Sequence, residues 1–247
     1  VNEGDELLLS DALIKLRVNK VQSKKIYTTV ERGGKLKSHQ GLNKKGGGLS
    51  LSGITAKDKS DLKKSLSYEY DYIAVSFVKD EKDITVIKNI IKNKDVKVIA
   101  KIERNEAIKN IDKITKASDG LLVARGDLGV EIGIEQLPAA QRFLIRKAIS
   151  FDKLAIVATQ MMESMITNRV PTRAEVFDVA NAVTSGVDAI MFSAETAIGK
   201  YPSDVISEAS RICAESEGAY IRPLSVDENA EKPFILIFWP CRSIITA

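Results

Sequence analysis

Histidine is almost missing from this sequence, since His39 is the only one among 247 residues. A site built from several histidines is therefore excluded, and proton or metal chemistry falls to Lys, Asp, Glu or Thr. The two cysteines, Cys213 and Cys241, have neither metal-motif spacing nor that of a disulfide framework. This usage is typical of a reducing compartment, and we expect a cytoplasmic protein.

Long apolar runs and aromatic residues are also scarce. The longest apolar run, PFILIFWP, is too short to cross a bilayer, so we expect neither a membrane partner nor a signal peptide. Residues 1–50 contain ten Lys/Arg and five Asp/Glu, but aromatic residues are not interleaved with these charges. This pattern favours a solvated basic face or a phosphate-binding segment, and we expect no nucleic-acid partner.

Two kinds of secondary structure follow each other along the chain. Residues 1–50 contain the short β segments DELLLS, LIKLRV and KIYTTVE and end in the glycine-rich stretch GLNKKGGGLS. From residue 51 onward, apolar strands alternate with helical patterns, and we predict strands at 72–78, 96–103, 119–127, 154–161 and 188–195. Strands that are apolar on both faces and alternate with helices predict an α/β protein with a parallel sheet.

Each predicted strand ends in polar residues. They are Ser76, Lys101 with Glu103, Arg125 with Asp127, Thr159 with Gln160, and Ser193 with Glu195. Because the carboxyl ends of parallel strands meet at one edge, the series predicts a shared site there. A single member of this series would be explained equally well as a helix cap or a surface loop.

Lys101, Glu103 and Asp127 form the chemical centre of that prediction. Lys101 and Glu103 are two residues apart on one strand, so their side chains point the same way. Glu103 and Asp127 end neighbouring strands and could share one Mg²⁺, with substrate oxygens and water completing its shell. Such a site would stabilise an enolate or a phosphoryl group, while a buried Lys–Glu ion pair is the alternative.

The stretch ARGDLG suggests why a strand should end in a cation, a glycine and a carboxylate. We expect Gly126 to permit a tight turn and a close approach of the backbone to a ligand. The following N–H groups would begin a helix and bind an anion. Arg125 would either pair with a nearby acid or face an anion.

Four long stretches resemble signature blocks of the pyruvate kinase family. They are AKIERNEAI, SDGLLVARGDLGVEIG, ATQMMESMITNRVPTRAEVFDVANAV and DAIMFSAETAIGKYP, and KKGGGLS resembles the bacterial type regulated by AMP or sugar phosphates. The resemblance implies a partial TIM (β/α)8 barrel with part of an inserted small β-barrel cap. Residues 1–50 would belong to the cap, 51–217 to barrel units from helix three to helix eight, and 218–247 to a linker and an atypical tail.

The resemblance also implies a glycolytic phosphotransferase that converts phosphoenolpyruvate and ADP to pyruvate and ATP. It would use Mg²⁺ or Mn²⁺ and K⁺ as cofactors, and the full-length family forms a homotetramer with the PTRAEVFDVANAV helix between subunits. Lys101 and Thr159 resemble catalytic residues, and Glu103 and Asp127 resemble the metal ligands. The residues that resemble the family's substrate-binding set are Lys101, Gly126, Asp127, Thr159, Ser76, Phe77 and Arg125. Among them, Ser76 and Phe77 would form the pocket wall, and Thr159 would lie near the methylene face of the substrate.

The sequence departs from the family pattern in three places. The early barrel strands are absent, and with them the motifs that bind K⁺ and the phosphates. Gln40 stands where the family usually has a second cap lysine, and after about residue 225 the tail ENAEKPFILIFWPCRSIITA has no helix or strand period of the family. We therefore expect this chain to be inactive alone, with two sheet edges and an apolar inner face exposed.

Two other functions stay open at this point. One is a Mg²⁺-dependent aldolase or lyase barrel that handles an enolate, although the cap and the Thr159 block argue against it. The other is a non-catalytic remnant that only folds or associates. A phosphotransfer assay beside an aldol-cleavage assay separates the enzymatic alternatives.

Overall fold

The computed structural model describes residues 1–10, 12–36, 38, 40–48, 54–92, 95–219 and 235–237. The strands are β1 (Glu6–Leu9), β2 (Ile14–Gln22), β3 (Lys25–Arg32), β4 (Leu42–Lys44), β5 (Tyr72–Val75), β6 (Lys97–Ile102), β7 (Gly120–Ala124), β8 (Leu154–Ala158), β9 (Ala189–Met191) and β10 (Ile235–Ile237). The helices are α1 (Ala56–Ser65), α2 (Glu81–Ile90), α3 (Asn105–Lys109), α4 (Ile111–Ala117), α5 (Arg125–Ile132), α6 (Leu137–Ser150), α7 (Arg173–Thr184), α8 (Ala194–Ala197) and α9 (Pro202–Ala219). His39 and Cys241 lie outside the described residues.

The N-terminal strands form a small antiparallel sheet in the order β3-β2-β1-β4. Leu7, Leu8, Ile14 and Val18 supply its buried apolar side chains. The sheet confirms the three predicted β segments and adds β4, which pairs with β1. We call this sheet the cap sheet.

The remaining strands form a six-stranded parallel sheet in the order β10-β9-β8-β7-β6-β5. Successive side chains of a strand point to opposite faces, and both faces are buried here. One face packs against the helices through residues such as Val98, Leu121 and Val157. The other, which we call the inner face, holds a separate cluster of Ile99, Leu122, Ala124, Ile156, Ala158, Ala189 and Met191. This two-sided burial explains why the strands are apolar throughout.

Three sequence-based expectations about the sheet are wrong. The inner face is not exposed, because the residues of its cluster are at most 6% exposed. The edge of β9 is not open either, because β10 from the tail pairs with it. The strands are also shorter than predicted: β7 ends at Ala124, so Arg125 and Asp127 belong to the first turn of α5.

Local sequence signals explain where two helices begin. Thr55 and Asp58 form the predicted capping box of α1, and Thr172 and Glu175 form a second one at α7. Such caps satisfy N–H groups that have no partner within the helix. Among the described residues, no helix is both long enough and apolar enough to cross a membrane. Cys213 packs against the helical side of the core, and burial raises the pKa of its thiol to about 12.

Gly120, at the start of β7, lies where the parallel strands pack closely, and a substitution there tests this packing. A Cβ added there would lie 2.7 Å from Ile99 Cδ1 and 3.0 Å from the carbonyl oxygen of Leu154, on the strands to either side. We expect Gly120→Ala to lower the free energy of unfolding by about 1–3 kcal/mol, because backbone must shift to admit the methyl group. Urea denaturation measures the change. Gly41→Ala is the control, since a Cβ there meets nothing within 4 Å, and equal stability of both variants would contradict the packing argument.

Candidate active site

Lys101 and Glu103 meet at the carboxyl end of β6, as predicted. Lys101 Nζ lies 2.8 Å from Glu103 Oε1 and donates a hydrogen bond to Ser76 Oγ at 2.8 Å. Glu103 is only 2% exposed, and its other oxygen accepts the backbone N–H of Phe77 at 2.6 Å. The Lys101–Glu103 ion pair, which the sequence left open as the alternative to a metal site, is therefore present. It holds an ammonium group and a carboxylate on the inner face, two residues beyond Ile99.

Phe77 contributes to the candidate site through its backbone N–H, which contacts Glu103. Its φ is +54°, a backbone conformation that residues other than glycine rarely adopt. This conformation accompanies the hydrogen bond from the Phe77 N–H to Glu103, while the ring is 44% exposed. The cost of a strained backbone is tolerated where surrounding contacts enforce it, and such residues cluster at functional sites.

Thr159 and Gln160 form a second strained segment directly after β8. Their φ values are +72° and +51°. The guanidinium of Arg125 donates to both carbonyl oxygens, at 2.6 Å to Thr159 and 2.8 Å to Gln160, and pairs with Asp178 Oδ2 at 2.5 Å. Arg125 is 8% exposed, so pairing with an acid is the arrangement that the structure has. A direct contact of Arg125 with substrate stays a prediction.

Gly126 contacts the second of these regions. Its backbone N–H donates to Thr159 Oγ1 at 2.9 Å, which leaves the hydroxyl proton of Thr159 available for another acceptor. Asp127 follows in the first turn of α5, where a negative charge is favoured by the helix dipole. The structure thus gathers the predicted residues Ser76, Phe77, Lys101 and Glu103 in one cluster, and Arg125, Gly126 and Thr159 in a second, around neighbouring strand ends.

Of the two reasons expected for glycine at position 126, the tight turn is wrong and the close approach of a ligand stays a prediction. Gly126 is helical and has no positive φ, so the turn does not require glycine. A Cβ added there would meet Thr159 Oγ1 at 3.7 Å, which is ordinary van der Waals contact. Neither conformation nor packing within the protein excludes alanine, although glycine costs helix stability. The missing side chain leaves space beside Thr159, as a closely approaching ligand would need.

Asp178 and Glu195 support the site. Glu195 belongs to the predicted series of strand-end residues, whereas Asp178 was not predicted. Asp178 holds the guanidinium of Arg125 from α7. Glu195 is 1% exposed and accepts the backbone N–H groups of Met162 at 3.3 Å and Ser193 at 2.9 Å, which links the loops after β8 and β9. Met162 and Glu195 are 33 positions apart in the sequence, and Arg125 and Asp178 are 53 positions apart. Only the fold therefore shows that these residues are in contact.

A glycine segment connects the cap sheet to this edge of the parallel sheet. Gly46, Gly47 and Gly48 have φ between +78° and +85°, which three successive residues with side chains would not adopt. The Gly46 N–H donates to the carbonyl oxygen of Glu131 at 2.9 Å, and the Gly48 N–H donates to Glu106 Oε1 at 3.0 Å. Burial raises the pKa of the Glu131 carboxyl, and the neighbouring Glu106 adds to this effect.

The carboxylates suit a hard divalent cation. Across the described part of the chain, no three His, Cys, Asp or Glu side chains group as metal ligands. Mg²⁺ is usually held by one or two carboxylates, with substrate and water oxygens for the rest. Glu103, whose oxygens lie against Lys101 and the Phe77 N–H, and Asp127, in the first turn of α5 after the adjacent strand, are the carboxylates that could hold such a cation.

Fold and site together define the class: a parallel, barrel-type α/β protein with a cap sheet and a polar site at the carboxyl ends of its strands. Residues 1–206 match the family described as pyruvate kinase, barrel domain. The sequence is 48% identical over 219 residues to pyruvate kinase II of Salmonella typhimurium, covering 87% of this chain and 46% of that protein. It is 46% identical over 224 residues to the Geobacillus stearothermophilus pyruvate kinase, covering 89% and 38% respectively.

This chain belongs to the pyruvate kinase family. The predicted resemblance and the partial (β/α)8 barrel are confirmed, and the parallel sheet is open within the described residues. The chain spans about half the length of the curated relatives it matches, at 46% of the Salmonella protein.

Gly126→Ala separates the needs of the fold from those of a ligand. We expect the free energy of unfolding to stay equal or rise by up to about 1 kcal/mol, because alanine favours a helix. Binding of oxalate with Mn²⁺, a mimic of the enolate of pyruvate, should fall at least roughly tenfold because the methyl group fills the space beside Thr159. Calorimetry measures both quantities.

The control is Gly218→Ala, another helical glycine, whose added Cβ meets nothing within 4 Å. Oxalate affinity should not change in that variant. Unchanged affinity in Gly126→Ala would show that the open space beside Thr159 serves no ligand.

Glu131 should make stability depend on pH. Its pKa is raised in the folded protein, so its ionisation destabilises the fold as pH rises through that pKa. Glu131→Gln removes the charge and keeps a carbonyl oxygen for the N–H of Asn105. We expect the variant to be more stable than the parent at pH 7, with a difference that shrinks toward pH 4.5, the ordinary pKa of a glutamate.

Urea denaturation across this pH range measures that difference, with the exposed Glu135→Gln as the control. A variant that is less stable than the parent at every pH would show that the carboxylate acts through its hydrogen bond and not through its charge.

Proposed function

We propose that this chain carries the enolate- and metal-binding part of a phosphotransferase that converts phosphoenolpyruvate and ADP to pyruvate and ATP. The observation that carries the proposal is the largely buried Lys101–Glu103 pair with Ser76, with Gly126 and Thr159 at the ends of the next two strands of the sheet. A fixed ammonium group at the carboxyl ends of parallel strands suits a reaction in which negative charge moves between a phosphoryl group and an enolate.

Lys101 is the proposed catalytic cation. Glu103 and Ser76 hold its ammonium group, so little reorganisation is needed when charge develops on a substrate oxygen nearby. Its side chain is 13% exposed, which limits the water that would screen this charge. A surface lysine would be more mobile and more strongly screened.

Glu103 and Asp127 are the proposed ligands of Mg²⁺ or Mn²⁺. When bound, the cation supplies positive charge to the phosphoryl and enolate oxygens. Glu103 is positioned by the backbone of Phe77, and Asp127 by the first turn of α5. Gly126 leaves room for the substrate carboxylate beside them.

Thr159 is proposed to lie near the methylene carbon that receives a proton when the enolate becomes pyruvate. Its oxygen accepts the Gly126 N–H, which leaves its own proton available to a different acceptor. Arg125 acts indirectly by fixing the carbonyls of Thr159 and Gln160. Ser76 and Phe77 are the proposed pocket wall.

The cap sheet is the proposed contact for ADP. Gln40 is exposed and replaces a cap lysine of the family pattern. Lys44 pairs with Asp5 at 3.1 Å and Lys45 lies 3.6 Å from Glu6, so both ammonium groups already have carboxylate partners within the cap sheet. We therefore expect weak nucleotide binding by this chain, and the family's K⁺ motif does not occur in its sequence.

The proposed assembly is the homotetramer of the full-length family, with α7 at a subunit contact. Phe177 on this helix is 75% exposed, although aromatic side chains normally bury most of their surface. A cytoplasmic location stays a prediction. The aldolase or lyase alternative lacks a role for the cap sheet, and the non-catalytic alternative lacks a reason for the strained residues at the strand ends.

Metal binding tests this proposal. We expect Glu103→Gln and Asp127→Asn each to weaken Mn²⁺ binding in the presence of oxalate by roughly 10–100-fold, because one anionic ligand is lost. Water-proton relaxation measures the affinity. The control is Glu215→Gln, a change of an exposed carboxylate on α9 that should leave affinity unaltered. Parent-like affinity in both site variants would rule out the metal site.

A further inference from the structure

We propose that Glu175 is a positioning residue, which ties the segment 159–166 to α7 and thereby holds Thr159 against the N–H of Gly126. Glu175 lies in the first turn of α7 and acts through Ser164, the residue of that segment which it contacts. The inference rests on the proposed function, because it takes Thr159 to face the enolate.

The contacts of Glu175 exceed those of a helix cap. In a capping box the carboxylate reaches back to the backbone of the N-cap residue, and Glu175 Oε2 accepts the Thr172 N–H at 2.7 Å. The same carboxylate also binds a residue eleven positions earlier: Oε1 accepts the Ser164 N–H at 2.7 Å, and Oε2 accepts the Ser164 hydroxyl at 2.5 Å. Capping requires only the contacts with Thr172, so the contacts with Ser164 serve the segment.

The charge of Glu175 strengthens this attachment. Burial by itself would raise the pKa of the carboxyl, but the hydrogen bonds from Ser164 and Thr172 outweigh burial and lower the pKa below its ordinary value. An ionised carboxylate only accepts hydrogen bonds, and such bonds are roughly twice as strong as those between neutral groups. Ser164 is therefore held by a charged acceptor.

Helix α7 holds the segment at two points. Asp178 lies three positions after Glu175, so both side chains belong to one face of the helix. Asp178 pairs with Arg125, whose guanidinium holds the carbonyl oxygen of Thr159, while Glu175 holds Ser164 at the other point. The positive φ of Thr159 persists only while the surrounding contacts enforce it. Loosening the Ser164 end should therefore let Thr159 move.

Two matched variants separate the segment from the helix cap. Ser164→Ala and Thr172→Ala each remove one hydroxyl that donates to Glu175 Oε2, at 2.5 and 2.8 Å. Each keeps the backbone N–H that donates to the same carboxylate. Only Ser164→Ala loosens the segment, so Thr172→Ala is the control. Glu175→Gln weakens both sides, because an amide nitrogen cannot accept a hydrogen bond.

The methyl resonance of Thr159, followed by NMR in the complete 247-residue chain, measures its position. We expect this resonance to shift in Ser164→Ala and in Glu175→Gln. It should stay at the parent position in Thr172→Ala, although that variant loses stability with its helix cap. An unshifted resonance in both Ser164→Ala and Glu175→Gln, or an equal shift in Thr172→Ala, would overturn the inference.

Oxalate binding in the presence of Mn²⁺ measures the consequence for a ligand. Affinity should fall roughly tenfold in Glu175→Gln, because a misplaced Thr159 no longer fits the ligand, and should match the parent in Thr172→Ala. A shifted Thr159 resonance with parent-like oxalate affinity would also overturn the inference. Failure of the parent chain to bind oxalate would instead overturn the proposed function, and the resonance would still decide whether Glu175 positions Thr159.

Discussion

The buried ion pair of Lys101 and Glu103 is the constraint on which the site depends. Removing two charges from water is costly, and the cost is recovered only if each charge finds close partners. Here Ser76 Oγ and the Phe77 N–H supply those partners from the end of β5, at 2.8 and 2.6 Å. The end of one strand is therefore fixed by the charge on the next, and the turn at Phe77 adopts a positive φ as part of this arrangement.

At the ends of β7 and β8, a second buried cation, the guanidinium of Arg125, also has close partners. The buried guanidinium of Arg125 holds the carbonyls of Thr159 and Gln160, and Asp178 balances its charge. A planar guanidinium suits this task because its several donors have fixed directions. The Thr159 hydroxyl is then placed against the N–H of Gly126. Charges within the protein thus stabilise the strained segment that faces the space beside Gly126.

The sequence predicted most of the architecture because periodicity and strand-end polarity are local signals. Lys101 and Glu103 could be paired from their spacing, and the capping box at Thr55 from its residue types. The contact of Arg125 with Asp178 could not be assigned, because it depends on how α7 packs. The β10 strand was missed for a related reason: a three-residue apolar run gives no period from which its partner could be inferred.

The central claim is that Lys101 supplies charge to a substrate and is more than a structural ion-pair partner. The direct measurement is pyruvate formation in a coupled assay, using this chain extended with the early barrel strands of a relative such as the Salmonella protein. We predict that the extended chain turns over and that its Lys101→Met variant keeps Mn²⁺ binding but loses turnover by a factor of roughly several hundred or more. Turnover by Lys101→Met close to that of the extended parent would contradict the account.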